Sequence, residues 1–227
     1  MSGPVVAIVV AAGSGVRLGG TGPKALRHLA GRPLVCWAVD ALAAGGVRSA
    51  VVVVAAGLEA DFEAVLGSAL IPVTVVVGGA TRQESVARGL ATLPDDGQVV
   101  LVHDAARPLV PVEVVRRVVD AVRSGALAVT PVVPVTDTIR QLSPDQTSAV
   151  VDRSRLRAVQ TPQGFDRDTL VQAHAGLHDE VTDDVAACEA IGVPVTLVAG
   201  SREALKITEP FDLIVAQALL STRGGPG

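Results

Sequence analysis

The chain is short of aromatic residues: among 227 residues there are one Trp, three Phe and no Tyr. That argues against a reader of single-stranded nucleic acid built on stacked rings. An excess of basic residues is also missing. Nineteen Lys plus Arg stand against 23 Asp plus Glu, a net charge of −4, which argues against a duplex-coating protein. Two cysteines, Cys36 and Cys188, are too few and too far apart for a disulfide framework or a cysteine-based zinc site. The mean hydropathy of +0.47 is high, yet no stretch suits a membrane span. The longest uncharged run, Ala64 to Thr81, is interrupted by Gly67, Ser68, Pro72, Gly78 and Gly79, whereas a spanning helix needs about 20 mostly apolar residues. The apolar stretch Pro4–Ala12 has no basic segment before it and reads as a first buried strand, not a signal peptide. The expectation is a cytoplasmic enzyme or binding domain.

Lysine is the other scarcity. Of the 19 basic residues only Lys24 and Lys206 are lysines. Arg offers a wide planar fork, while Lys offers a compact charge that fits among crowded phosphate oxygens. Both lysines are therefore candidates for a phosphate site, against the plainer reading of two solvated surface residues.

What the chain has in quantity is aliphatic residues. Hydrophobic residues make up 49%, enough for a single core spanning residues 1–227. Val5–Ala11, Ala50–Ala55, Val73–Val77, Val99–His103 and Leu127–Pro131 read as strands covered on both faces. Pro33–Ala44, Leu58–Leu66, Arg82–Leu93 and Pro111–Ser124 read as helices between them, with Pro33 and Pro111 at first helical positions. This alternation predicts an α/β fold, a Rossmann-like, doubly wound, mostly parallel sheet. Ligands of such sheets bind outside the carboxyl ends of the strands. Residues 135–157 break the rhythm with two short β-like segments around Ser143-Pro-Asp-Gln-Thr, a protruding β-hairpin arm suited to packing on another subunit. Helices near Asp166–His174 and Thr182–Ile191, a strand at Val195–Ala199 and a helix at Pro210–Ser221 complete the chain.

Chemistry gathers at the predicted strand ends. After the first strand comes Ala11-Ala-Gly-Ser-Gly-Val-Arg-Leu-Gly-Gly-Thr-Gly-Pro-Lys24. Small residues let backbone N–H groups approach phosphate oxygens, and Arg17 and Lys24 add two cations. The spacing is neither the dinucleotide fingerprint, because Leu18 follows Gly13-Ser-Gly15-Val-Arg, nor a Walker loop, because Thr21-Gly22 follows Gly20. After the third strand, Gly78-Gly-Ala-Thr-Arg-Gln-Glu-Ser85 opens a helix whose free N–H groups could read a base edge, with Thr81 as N-cap. After the fourth, His103-Asp-Ala-Ala-Arg-Pro108 places Asp104 where it could meet Mg²⁺ or a hydroxyl, and Arg107 where it could meet phosphate. It could also be a turn that pairs with itself. His174 and His178 stand four apart on a predicted helix without a metal-protease pattern, and a solvated face is the expected reading.

Together these segments resemble the 2-C-methyl-D-erythritol 4-phosphate cytidylyltransferase family. The resemblance rests on Ala11–Leu18 with Pro23-Lys24, Gly78–Val86, Val102–Pro108, Asp137-Thr138, Val151-Asp-Arg153, Gln160-Thr-Pro-Gln163, Thr182-Asp-Asp184 and Leu205-Lys-Ile-Thr208. It implies transfer of a cytidylyl group from CTP to a sugar-alcohol phosphate, with Mg²⁺ and release of pyrophosphate. It implies Arg17 and Lys24 as transition-state stabilisers, and Arg153 and Lys206 as holders of the acceptor phosphate. Ala11, Ala12, Gly13, Ser14, Gly15, Gly79, Ala80 and Ser85 would surround the nucleotide. Asp104, Arg107, Thr138 and Thr161 would complete the acceptor side, with any protein contact to Mg²⁺ falling to Asp104. It also implies a homodimer in which Arg107, Thr138 and Arg153 cross the subunit boundary. The same chemistry on ribitol 5-phosphate, and a non-catalytic nucleotide-binding domain, are the alternatives. No nucleic-acid or membrane partner is expected.

Overall fold

The computed structural model describes residues 3–13, 15, 18, 22–176, 181 and 183–223. Ser14, Arg17, His178 and Thr182, named above, lie outside the described residues. In chain order the elements are β1 (Val5–Val10), β2 (His28–Leu29), β3 (Arg32–Pro33), α1 (Leu34–Ala44), β4 (Ser49–Val54), α2 (Glu59–Leu66), β5 (Val73–Val77), α3 (Arg82–Thr92), β6 (Val99–Asp104) and α4 (Val112–Arg123). There follow β7 (Ala128–Pro134), β8 (Ile139–Leu142), β9 (Ser148–Val151), β10 (Arg157–Val159), β11 (Gln163–Asp166), α5 (Arg167–Ala175), α6 (Asp184–Ala190), β12 (Val195–Ala199) and α7 (Pro210–Arg223).

The valine-rich strands form the predicted sheet, in the order β5-β4-β1-β6-β11-β7-β12. Pairing is parallel from β5 through β6 and between β7 and β12. Alternate side chains of β1 go to opposite faces, as the pleat requires. Val5, Ala7 and Val9 pack with Val35 and Val39 of α1 and with Val114 and Val118 of α4. Val6 and Ile8 pack with Val86 and Leu90 of α3 and with Leu170 of α5. Each Val, Ile or Leu side chain so buried stabilises by about 1.5–3 kcal/mol relative to exposure. Three helices, α3, α5 and α6, start at side-chain caps. Thr81 accepts from the N–H of Glu84, Asp166 from that of Thr169 and Asp183 from that of Ala186. Pro33 and Pro111 are the N-caps, one residue before the expected first position.

Two features depart from the expected pattern. An antiparallel strand, β11, lies inside the sheet between β6 and β7. Its sequence, Gln163-Gly-Phe-Asp, has no β-branched residue and no alternation. Gly164 is there because α4 crosses directly over it: a Cβ would stand 2.4 Å from Cγ1 of Val118. The preceding β10 runs along the same edge of β7, separated from β11 by Gln160–Pro162. The second departure is minor, the two-residue pair β2–β3 before α1. The expected hairpin is present as β8–β9, paired from Ile139↔Val151 to Leu142↔Ser148. It stands off the sheet, with Leu142 74% and Val150 61% exposed. No helix among the described residues is long and apolar enough to cross a membrane.

Candidate active site

The chain runs outward from β1 through β4 to β5, then returns to β6 on the other side of β1. The carboxyl ends of β1 and β6 therefore flank the point where strand order reverses, the usual place for a ligand cleft. A cavity of about 290 Å³ opens there. It is lined by Val10–Gly13 after β1, Lys24 and Ala25, Gly79–Arg82 and Ser85 after β5, Asp104–Ala106 after β6, and Lys206. Both lysines of the chain thus face one cavity.

Lys24 opens a short 3-10 turn, Lys24–Leu26, that returns the glycine-rich loop to the core. Gly15 makes this return possible. Its φ is +68°, and a Cβ there would lie 2.6 Å from Cβ of Lys24. Any L side chain would meet both backbone strain and the stem of the lysine.

The β6 side of the cavity is electrostatic. Lys206 Nζ lies 2.8 Å from Asp104 Oδ2, and Arg107 Nε lies 3.8 Å from the same oxygen. Burial pushes the Asp104 carboxyl up, but Lys206, Arg82 and Arg107 outweigh it and hold the group below the usual carboxylate range. Asp104 is therefore ionised and holds the ammonium in place. Arg107 donates to the carbonyls of Ala204 (2.8 Å) and Val159 (3.3 Å), and its buried Nε has no hydrogen-bond partner among the described residues. Within its own chain Arg107 lies beside Asp104 but outside the cavity lining. The Asp104–Arg107 turn does pair with itself, through Arg107 N–H to the Asp104 carbonyl at 2.9 Å.

The β5 side is built from main chain and hydroxyls. Ser85 Oγ donates to the Thr81 carbonyl at 2.9 Å and accepts from Gly79 N–H at 3.1 Å. Ala80 N–H donates to Glu84 Oε2 at 2.7 Å. Of the N–H groups expected to be free for a base edge, those of Gly79 and Ala80 are engaged by α3 side chains that reach back over the helix start.

Sequence reasoning assigned no role to Arg82, Asp184 or His103. Arg82 lines the cavity and donates to Asp184 Oδ2 at 2.6 Å. Burial works against the Arg82 charge, but the Asp184, Asp104 and Asp183 carboxylates hold its pKa above the ordinary value. His174 Nε2 lies 3.2 Å from the other Asp184 oxygen, and its ring is buried. The expected solvated face for His174 is therefore corrected: α5 turns this residue inward onto α6. Gln163 closes the network, donating to Asp183 and accepting from Asp184 N–H. The signal was an acidic pair, Asp183-Asp184, at a helix start, far in sequence from Arg82. Thr138 and Arg153 lie outside the cavity lining, exposed beside the hairpin, where Arg153 donates to the Thr136 carbonyl. Thr161 is buried, with its hydroxyl against His103 and Asp104 N–H.

Comparison with known proteins agrees with this geometry. The family described as 2-C-methyl-D-erythritol 4-phosphate cytidylyltransferase matches residues 5–222. A protein of that name from Streptomyces coelicolor is 51% identical over 229 residues, covering 96% of this chain and 85% of the relative. One from Saccharopolyspora erythraea is also 51% identical, covering 96% and 99%. The crystal structure of the Thermus thermophilus protein of the same name superposes with a TM-score of 0.76 at 37% identity, covering 97% of this chain and all of that one. The chain belongs to the 2-C-methyl-D-erythritol 4-phosphate cytidylyltransferase family.

Proposed function

We propose that this chain transfers the cytidylyl group of CTP to the phosphate of 2-C-methyl-D-erythritol 4-phosphate, releasing pyrophosphate. The observation that carries the reading is the meeting of Lys24 and Lys206 in one cavity at the strand-order reversal of a member of this family. Both reactants are anions, so attack of the acceptor phosphate on the α-phosphorus is opposed by repulsion. Fixed cations remove that barrier and stabilise the charge on the phosphorus. Lys24 and Arg17 take the triphosphate side, while Lys206, fixed by Asp104, takes the acceptor side. The acceptor phosphate is ionised near neutral pH and needs no general base. His103, next to Asp104 on β6, is fully buried, and burial lowers its pKa to about 4.

The nucleotide lies along Ala11, Ala12, Gly13, Ser14, Gly15, Gly79, Ala80 and Ser85. Arg107 lends charge beside Asp104, while Thr161 acts through its bond to Asp104 N–H. A divalent cation fits as the companion of the triphosphate. Among the described residues Asp104 is the one carboxylate in the cavity lining, and there is no cluster of three His, Cys, Asp or Glu ligands. When bound, such an ion offsets charge on the phosphate oxygens. Thr138 and Arg153 belong to the arm and reach the acceptor of a second copy, making the enzyme a homodimer. A cytoplasmic location suits the soluble substrates and the two buried free thiols.

Pyrophosphate release from CTP and the methylerythritol phosphate, dependent on Mg²⁺ and abolished by chelation, is the expected result. Preference for ribitol 5-phosphate would reassign the acceptor, and CTP binding without turnover would reduce the protein to a binding domain. Sedimentation of the wild type and Leu142→Asp tests the arm: a dimer that becomes a monomer is expected.

A further inference from the structure

His103, just before Asp104 on β6, is fully buried and does not line the cavity. Both ring nitrogens are engaged. Nδ1 lies 3.0 Å from Thr161 Oγ1, and Nε2 lies 3.1 Å from the Arg107 carbonyl. The direction of each bond follows from the partners. A carbonyl only accepts, so Nε2 carries the proton. In the neutral Nε2–H ring Nδ1 is an acceptor, so the Thr161 hydroxyl donates to it while accepting from Asp104 N–H at 3.0 Å. One continuous chain results: Asp104 N–H to Thr161, Thr161 to His103, and His103 to the Arg107 carbonyl.

That chain joins three segments that converge only in the fold. The Asp104–Arg107 turn ends β6. Thr161 lies in the break between β10 and β11, where Gln160 also makes two hydrogen bonds to the backbone of Ser201. The segment around Lys206 is held to the same turn by Arg107 on the Ala204 carbonyl and by Ile207 N–H on the Ala106 carbonyl at 2.8 Å. A displaced Asp104 would carry with it the carboxylate that fixes Lys206.

We infer that His103 is a positioning residue for the acceptor half of the cavity, its ring setting the turn that carries Asp104 and Arg107 against Thr161. This rests on the cytidylyl-transfer reading above. The plainer alternative, a satisfied core histidine, makes a different prediction. Loss of a core histidine lowers stability without choosing between substrates. Loss of a clamp on one wall raises the KM of the acceptor and spares that of CTP, because the β5 wall shares none of its bonds.

The test has two parts. In ¹⁵N-histidine NMR of the unmutated protein near neutral pH, the four histidines are few enough to assign. His103 is expected as the neutral Nε2–H tautomer, and an Nδ1–H tautomer or an imidazolium overturns the clamp. In steady-state kinetics, His103→Gln keeps an amide donor near the Nε2 position but loses the acceptor for Thr161. It is expected to raise the acceptor KM about tenfold, the scale of one buried hydrogen bond, with the CTP KM within twofold. His103→Leu loses both bonds and is expected to raise it further, so Gln should recover part of the loss. Should the Leu variant not fold, Gln and the spectrum decide. Equal movement of both KM values, or movement of neither, overturns the inference while wild-type turnover leaves the reading intact. Absence of wild-type turnover overturns both.

Discussion

The two walls of the cavity are built on opposite plans. The wall after β5 uses peptide N–H groups and the hydroxyls of Ser85 and Thr81, bonded among themselves. The wall after β6 presents Lys206 and Asp104, with Arg107 outside the lining as a second cation near the same buried carboxylate. A neutral pyrimidine needs shape and a few hydrogen bonds, whereas phosphates need positive charge already in place. Charge held by a fixed partner does not have to reorganise as the reaction proceeds, and that is where electrostatic stabilisation gains its size. Arg82 belongs to the first wall by position and resembles the second in its pairing, being tied back to Asp184.

The contrast breaks most sharply at the lysines. Lys24→Ala and Lys206→Ala should each lower kcat by about 10²–10³, or about 3–4 kcal/mol of transition-state stabilisation, with the folded circular dichroism spectrum retained. Near-normal turnover in Lys206→Ala would take catalysis away from the β6 wall. Next in size is Asp184→Ala, which strands the Arg82 guanidinium beside α6. A loss of about 2–3 kcal/mol in urea unfolding is expected, somewhat below a fully buried pair because Arg82 keeps some solvent contact. A third effect is read in pH. The folded pKa of His103 is lowered to about 4 from the ordinary 6.5, by burial first, with Asp104 and the Arg107 carbonyl opposing it. Between those values the unfolded chain binds a proton that the folded chain refuses, so stability falls as pH drops from about 6.5 toward 4. His103→Gln should flatten that part of the urea-derived stability curve, and an unchanged slope would assign it to other groups. The smallest effect belongs to the β5 wall. Glu84→Ala frees Ala80 N–H at an exposed site and should change the CTP KM less than about threefold, the scale of one exposed hydrogen bond, leaving the acceptor KM alone.

The parallel half of the fold was legible because its strands are nearly continuous valine and alanine, and because Thr81 caps a helix just after Gly78-Gly79-Ala80. The lysines were legible by their rarity. The interior strand β11 was not, since Gln163-Gly-Phe-Asp owes its place to α4 and to its two neighbours, not to its own propensity. His174 was misplaced for a related reason. Helical spacing gives the face on which a residue lies, but what covers that face is set by α6, which arrives later in the chain. The occupied N–H groups of Gly79 and Ala80 were also hidden, because a sequence does not say whether a helix start spends its donors on itself. The clamp through His103 and Thr161 spans 58 residues and exists only once β11 is inserted beside β6.

The reversed direction of β11 has a consequence for how this rim can vary. In an all-parallel sheet only strand ends reach the ligand side. Here a strand beginning arrives there as well, bringing Thr161 against the backbone of Asp104. Replacing the linker between the hairpin and β11 would therefore remodel this rim of the cavity while leaving the four parallel strands untouched.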